Sequence, residues 1–175
     1  WATSPRSGIG KSYSFTFQFK VDSTAPTMNN VSTSSTGKYT NSSTYVSASD
    51  SMSGVECIYM KTPGNSSYGN MGTSTTVSSS GTNGLYSFYA KDKAGNTSRT
   101  YYLYLDTVKP TGTIKNSNGT EITGSYTNQA FSYSATDSGS GISYLQYRKP
   151  GSSSWLTYTS GTSISASAAS GTYQF

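Results

Sequence analysis

Apolar residues in this chain recur at every second position, and no stretch longer than a turn shows helical spacing. Tyr13, Phe15, Phe17, Phe19 and Val21 alternate with polar residues, and so do Thr44, Val46 and Ala48. Further runs place Ile58 with Met60, Tyr86 with Phe88 and Ala90, and Tyr101 with Leu103 and Leu105 on single faces. Such alternation predicts half-buried β-strands, each with one face turned inward. Pro63-Gly64-Asn65-Ser66 and Asp92-Lys93-Ala94-Gly95-Asn96 supply turns between them. Short strands near Tyr68 and Val77 bring the count to about seven in about 85 residues, the pattern of a small Greek-key sandwich.

The pattern then returns at an offset of 87 residues. Tyr39-Thr40-Asn41 recurs as Tyr126-Thr127-Asn128, Pro63-Gly64 as Pro150-Gly151, and Gly84-x-Tyr86-x-Phe88 as Gly171-x-Tyr173-x-Phe175. Over the fifty aligned positions from Tyr39 to Phe88, nineteen are identical. Phe131, Tyr133 and Ala135 take the inward places of Thr44, Val46 and Ala48, and Leu145 and Tyr147 those of Ile58 and Met60. Trp155 and Ile164 answer Tyr68 and Val77. Repetition at this spacing signals a tandem array. The linker Asp22-Ser23-Thr24-Ala25-Pro26-Thr27 answers Asp106-Thr107-Val108-Lys109-Pro110-Thr111 at an offset of 84, so the second copy carries three extra residues, placed at Asn116 to Gly119.

The expected organisation is therefore residues 22–105 as one unit and 106–175 as a second. Phe175 aligns with Phe88, so the second unit lacks the end of strand F and all of strand G. Residues 1–21 end in Tyr13–Val21, which aligns with Tyr101–Leu105 as the final strand of a preceding repeat. Two readings follow: a segment cut from a longer array, or head-to-tail strand complementation, in which Tyr13–Val21 of one molecule completes the second unit of another.

The succession Asp22-x-Thr24-x-Pro26-Thr27, Ala48-x-Asp50-x-x-Ser53-Gly54-Val55 and Gly84-x-Tyr86-x-Phe88-x-Ala90-x-Asp92-x-Ala94-Gly95-Asn96-x-Ser98 resembles bacterial Ig-like repeats of large surface and secreted proteins. The resemblance covers nearly all of 22–175. It implies an all-β fold of tandem immunoglobulin-like sandwiches, the second incomplete, with adhesion, stalk or spacer roles and no catalytic residues. Neighbouring repeats of a parent chain are then the first partners, with a glycan or a host surface protein as a further one, and the location is extracellular, secreted or at the cell surface.

Composition narrows the chemistry. Charged residues make up 11% of the chain, well below the usual quarter, and there is no histidine and one cysteine. Serine and cysteine nucleophile systems that need histidine are excluded, as are imidazole and thiolate metal cages. The net charge of +5 is scattered, without the basic stripe of a nucleic-acid reader. No apolar run is long enough to span a membrane. Gly8-Ile9-Gly10-Lys11-Ser12 superficially matches a phosphate-binding loop, but Pro5 stands at its first glycine and a strand follows. Glu56 and Glu121 are not matched between copies, so the chain is read as non-enzymatic.

Two groups carry what chemistry remains. All five aspartates fall at repeat-defining positions. In an Ig-like sandwich Asp22, Asp50 and Asp92 converge at one end of the first unit, and Asp106 with Asp137 at the junction. Clustered carboxylates with loop carbonyls suit calcium, while Asx-turns are the commoner use of such residues. The outward face of strands C, F and G carries Tyr59, Tyr89, Tyr102 and Tyr104, a platform on which a sugar could stack. That platform supports the alternative of a carbohydrate-binding module of a glycan-active enzyme. Cys57, aligned with Tyr144, is expected to face outward from strand C.

Overall fold

The computed structural model describes residues 14–175, which are all-β without a helix. In the first unit β1 (Thr27–Asn29), β3 (Thr44–Ser49) and β6 (Ser74–Val77) form a three-stranded antiparallel sheet in the order β1-β3-β6. A second sheet runs β2-β8-β7-β4-β5, built from β2 (Lys38–Thr40), β4 (Val55–Lys61), β5 (Gly69–Asn70), β7 (Gly84–Asp92) and β8 (Tyr101–Leu105). Met28, Val46 and Val77 from the first sheet meet Ile58, Tyr86, Phe88, Ala90, Tyr101, Leu103 and Leu105 from the second in one core. The unit is a β-sandwich. Alternation does the sorting: in β8 every second residue is buried, and a slip of one residue would expose Leu103 and bury Tyr102.

Strand β2 is the element that the periodicity missed, because Lys38-Tyr39-Thr40 has no inward apolar pair. It pairs parallel to β8, with Lys38 opposite Leu103 and Thr40 opposite Leu105. The first unit thus has eight strands rather than seven.

The second unit repeats the first in register. Its sheet runs β13-β10-β9, from β9 (Thr111–Asn116), β10 (Phe131–Thr136) and β13 (Ser163–Ile164). Strands β11 (Leu145–Tyr147) and β12 (Leu156–Tyr158) pair separately. Phe131 faces Ile164 as Thr44 faces Val77, and Arg148 bridges Gln174 as Lys61 faces Ser87. Thr27 opposite Ser49 becomes Thr111 opposite Thr136, so the three extra residues lie between these strands. A turn begins at Asn116, whose Oδ1 accepts the N–H groups of Asn118 (3.1 Å) and Thr120 (2.9 Å).

Some aligned differences compensate. Met28 and Val46 in the first core become Gly112 and Tyr133, and the Tyr133 ring occupies the space where a side chain at position 112 would stand. The glycine that opens β7 is shared for a physical reason. Gly84 and Gly171 hold φ of +130° and +135°, and each lies close against Pro63 or Pro150, in the turns that follow β4 and β11.

The segment Tyr13–Val21, read as the final strand of a preceding repeat, is described only from Ser14. Tyr13 and the Gly8–Ser12 stretch lie outside the described residues; residues 14–26 carry no strand, and Phe15, Phe17, Phe19 and Val21 are exposed. In this chain the matching place beside β7 is already taken by β8.

The register of β8 predicts contrasting costs. Leu103→Ala should lower unfolding free energy by about 2–5 kcal/mol in urea titration, whereas Tyr102→Ala on the other face should cost clearly less. Equal losses would contradict the register.

Candidate functional site

The aspartates gather as their loop positions suggest. Asp22, Asp50 and Asp92 each offer a carboxylate oxygen within 4.8 Å of the others. Asp50 closes the loop between β3 and β4: its Oδ1 accepts the N–H of Met52 (3.1 Å) and of Gly54 (2.8 Å). Asp22 reaches that loop from the entry segment. Its Oδ1 accepts the Thr24 N–H and its Oδ2 the Ser53 N–H, both at 2.9 Å. Asp92, fully buried at the end of β7, accepts the Asn96 N–H at Oδ1 and the Asn96 side-chain amide at Oδ2, both at 2.8 Å. The same amide donates to the Asp22 carbonyl at 3.0 Å. Asn96 therefore joins the turn after β7 to the incoming chain, a role that sequence reasoning missed although the residue stands in the motif that carries the resemblance.

The second copy repeats the contacts of two of these carboxylates, with Asp106 for Asp22 and Asp137 for Asp50. Asp137 Oδ1 accepts the N–H groups of Gly139 and Gly141, each at 2.9 Å, as Asp50 does for Met52 and Gly54. Asp106 accepts the Val108 N–H at Oδ1 (3.0 Å) and the Ser140 N–H at Oδ2. Its own backbone N–H donates to the Thr40 carbonyl at 2.9 Å, in line with the β2–β8 pairing. One buried residue is thus bonded into both units. Beside it, Asn83 Oδ1 accepts the Thr107 N–H at 3.1 Å.

These donors set the ionisation. The Ser140 hydroxyl and N–H, then the Val108 N–H, hold Asp106 below the ordinary carboxylate range. Asp22 is likewise lowered, by the Ser53 hydroxyl beside it and the N–H groups of Thr24 and Ser53. Ser53 Oγ is buried without a hydrogen bond of full geometry, so the N–H donors are the firmer cause. Asp50 Oδ2 is also buried without a partner. Asp22, Asp50 and Asp92 are the one grouping among the described residues with three side chains placed to hold a cation.

The predicted tyrosine platform divides. Tyr59 and Tyr89 face each other across β4 and β7 and stack at 4.7 Å, with the Tyr68 ring edge-on to Tyr89 at 5.0 Å. Tyr104 instead packs on Tyr39 at 5.3 Å, and the Tyr102 backbone is bridged to Ser32. Lys61 lies 5.4 Å over the Tyr68 ring, and Arg148 lies 5.2 Å over Trp155, so both copies keep a cation–aromatic pair with both members exchanged. Cys57 is 4% exposed, beside a bulge between Val55 and Cys57 in the β4–β7 ladder. It lies outside the sandwich core and against Tyr59, whose pKa it raises, so its thiol is covered although the strand turns it outward.

Comparison of the chain with protein-family models, with curated proteins and with solved structures gives no match.

Acid should loosen both aspartate contacts. A carboxylate whose folded pKa is depressed contributes stability that is present above its unfolded value, near 4, and is lost as pH falls through the folded value. The melting temperature should therefore drop progressively below about pH 4, and Asp106→Asn should remove part of that drop. An identical acid profile for the variant would contradict the assignment.

Proposed function

We propose that this chain is a non-enzymatic spacer and adhesion segment of a bacterial cell-surface or secreted protein, built from tandem immunoglobulin-like units. The observation that carries the reading is Asp106, whose backbone extends the pairing of one unit while its carboxylate holds a loop of the next. Asp22 makes the same carboxylate contact at the entry of the first unit, so the joint is a repeated part. Stackable units with a repeated joint suit reach and spacing.

Three further features favour the immunoglobulin-like assignment. The sheets have the orders expected for strands A-B-E and A′-G-F-C-C′. The Tyr86 hydroxyl donates to the Thr82 carbonyl at 2.9 Å, a tyrosine corner before strand F. Tension along the chain also loads β2 and β8 in shear, because the pair is parallel and joins the start of the unit to its end. An array under load would use that geometry.

A second reading concerns calcium at Asp22, Asp50 and Asp92. It is favoured by the buried Asp50 Oδ2, which no hydrogen bond satisfies. Amide donors occupy the other carboxylate oxygens, so the affinity expected is the millimolar one of extracellular modules. Calcium should then raise the melting temperature over a chelator control, and Asp50→Asn should abolish the rise; no shift with calcium leaves the amide cage as the whole explanation. The carbohydrate-binding alternative rests on Tyr59, Tyr89, Tyr102 and Tyr104, and is weakened because Tyr59 and Tyr89 spend ring faces on each other while Tyr104 packs on Tyr39.

Single-molecule stretching tests the spacer reading. The 84 residues from Asp22 to Leu105 span about 290 Å when extended, and that length less the folded end-to-end distance should be released in one discrete event. Gradual extension at low force, without a discrete event, would contradict it.

A further inference from the structure

The loop between β10 and β11 differs from its counterpart in the first unit at one position. Asp50-Ser51-Met52-Ser53-Gly54 returns as Asp137-Ser138-Gly139-Ser140-Gly141, so only Met52 is exchanged, for Gly139. The shared residues keep a shared geometry. Gly54 and Gly141 hold φ of +80° and +81°, and the N–H groups of Met52 and Gly139 are held by the aspartate that opens each loop, at 3.1 and 2.9 Å.

Backbone conformation does not call for a glycine at 139. Gly139 is not among the glycines with positive φ, and a methionine holds the same place in the first loop. Space does call for it. A Cβ at position 139 would overlap the Cγ and both oxygens of the Asp106 carboxylate. That carboxylate is not free to step aside. Its Oδ1 accepts the Val108 N–H and its Oδ2 the Ser140 N–H, and the residue is 7% exposed, so water does not readily replace a bond that is lost.

The first joint shows the alternative. Asp22 also holds its loop through Oδ2, which accepts the Ser53 N–H at 2.9 Å, while Met52 beside it is 60% exposed. Because Met52 carries a Cβ, Asp22 cannot take the place over the loop backbone that Asp106 takes. The two joints share their hydrogen bonds and differ in their seat.

We propose that Gly139 is the positioning residue of the joint: the missing side chain opens the seat for Asp106, and the residue at this loop position sets how closely a unit is held by the one before it. The inference rests on the reading of Asp106 as the joint between units and adds what tunes it. Glycine admits the carboxylate against the backbone, and any larger residue holds it off. Joint stiffness is thus written at one position of the loop, while the residues that form the loop and donate the hydrogen bonds stay the same.

A double-mutant cycle in thermal unfolding, with ¹⁵N relaxation on the same proteins, tests this. Gly139→Ala alone should lower the melting temperature of the second unit by roughly 4–8 °C and give the two units separate tumbling times. In an Asp106→Ala background the same substitution should be neutral or slightly stabilising, because the seat is empty and alanine restricts the unfolded chain. Should Gly139→Ala fail to fold, adding Asp106→Ala should restore folding. Met52→Ala should be near neutral with or without Asp22→Ala. An equal loss from Gly139→Ala in both backgrounds would overturn the proposal and leave the joint standing, as would coupling of Met52 to Asp22 of the same size. Unchanged tumbling after Asp106→Ala alone would remove the joint itself, and the proposal with it.

Discussion

The placement of Asp106 is the constraint on which the architecture depends. Its backbone N–H continues the ladder of the first unit, and its carboxylate closes a loop of the second. A residue buried to this extent cannot leave a carboxylate unpaired without a large desolvation cost, so the donors from Ser140 and Val108 must stay in place. Fixing those donors fixes the loop between β10 and β11 relative to the end of β8. The joint is therefore specified by hydrogen bonds of defined direction rather than by an apolar patch, which would permit sliding.

The same reasoning gives the last strand its importance. In the first unit β8 contributes three buried side chains to the core, pairs with β7 on one side and holds β2 on the other, then delivers Asp106 to the joint. Core closure, edge pairing and unit-to-unit connection thus fall to five residues. The registers of the second unit's three-stranded sheet match those of the first.

Much of this was legible in the sequence, because a half-buried strand writes its face directly as alternation. Phe88, Leu103 and Val46 are buried as the pattern required, and the three-residue excess falls between β9 and β10. The failures share a physical origin in tertiary partners. Strand β2 owes its existence to β8 and not to its own residues. The exchange of Met28 and Val46 for Gly112 and Tyr133 reads as two mismatches until the ring is seen to fill the glycine's space. For the site, the meeting of Asp22, Asp50 and Asp92 followed from loop order, whereas the role of Asn96 depended on a contact across 74 residues. The tyrosines alternate correctly, but which ring meets which is decided by register.

The central claim is that the joint at Asp106 couples the two units. Backbone ¹⁵N relaxation on the chain, with and without Asp106→Ala, tests it most directly. The account predicts one shared tumbling time for both units with Asp106 present, and two separate, shorter times after its replacement. Independent tumbling with Asp106 in place would contradict it.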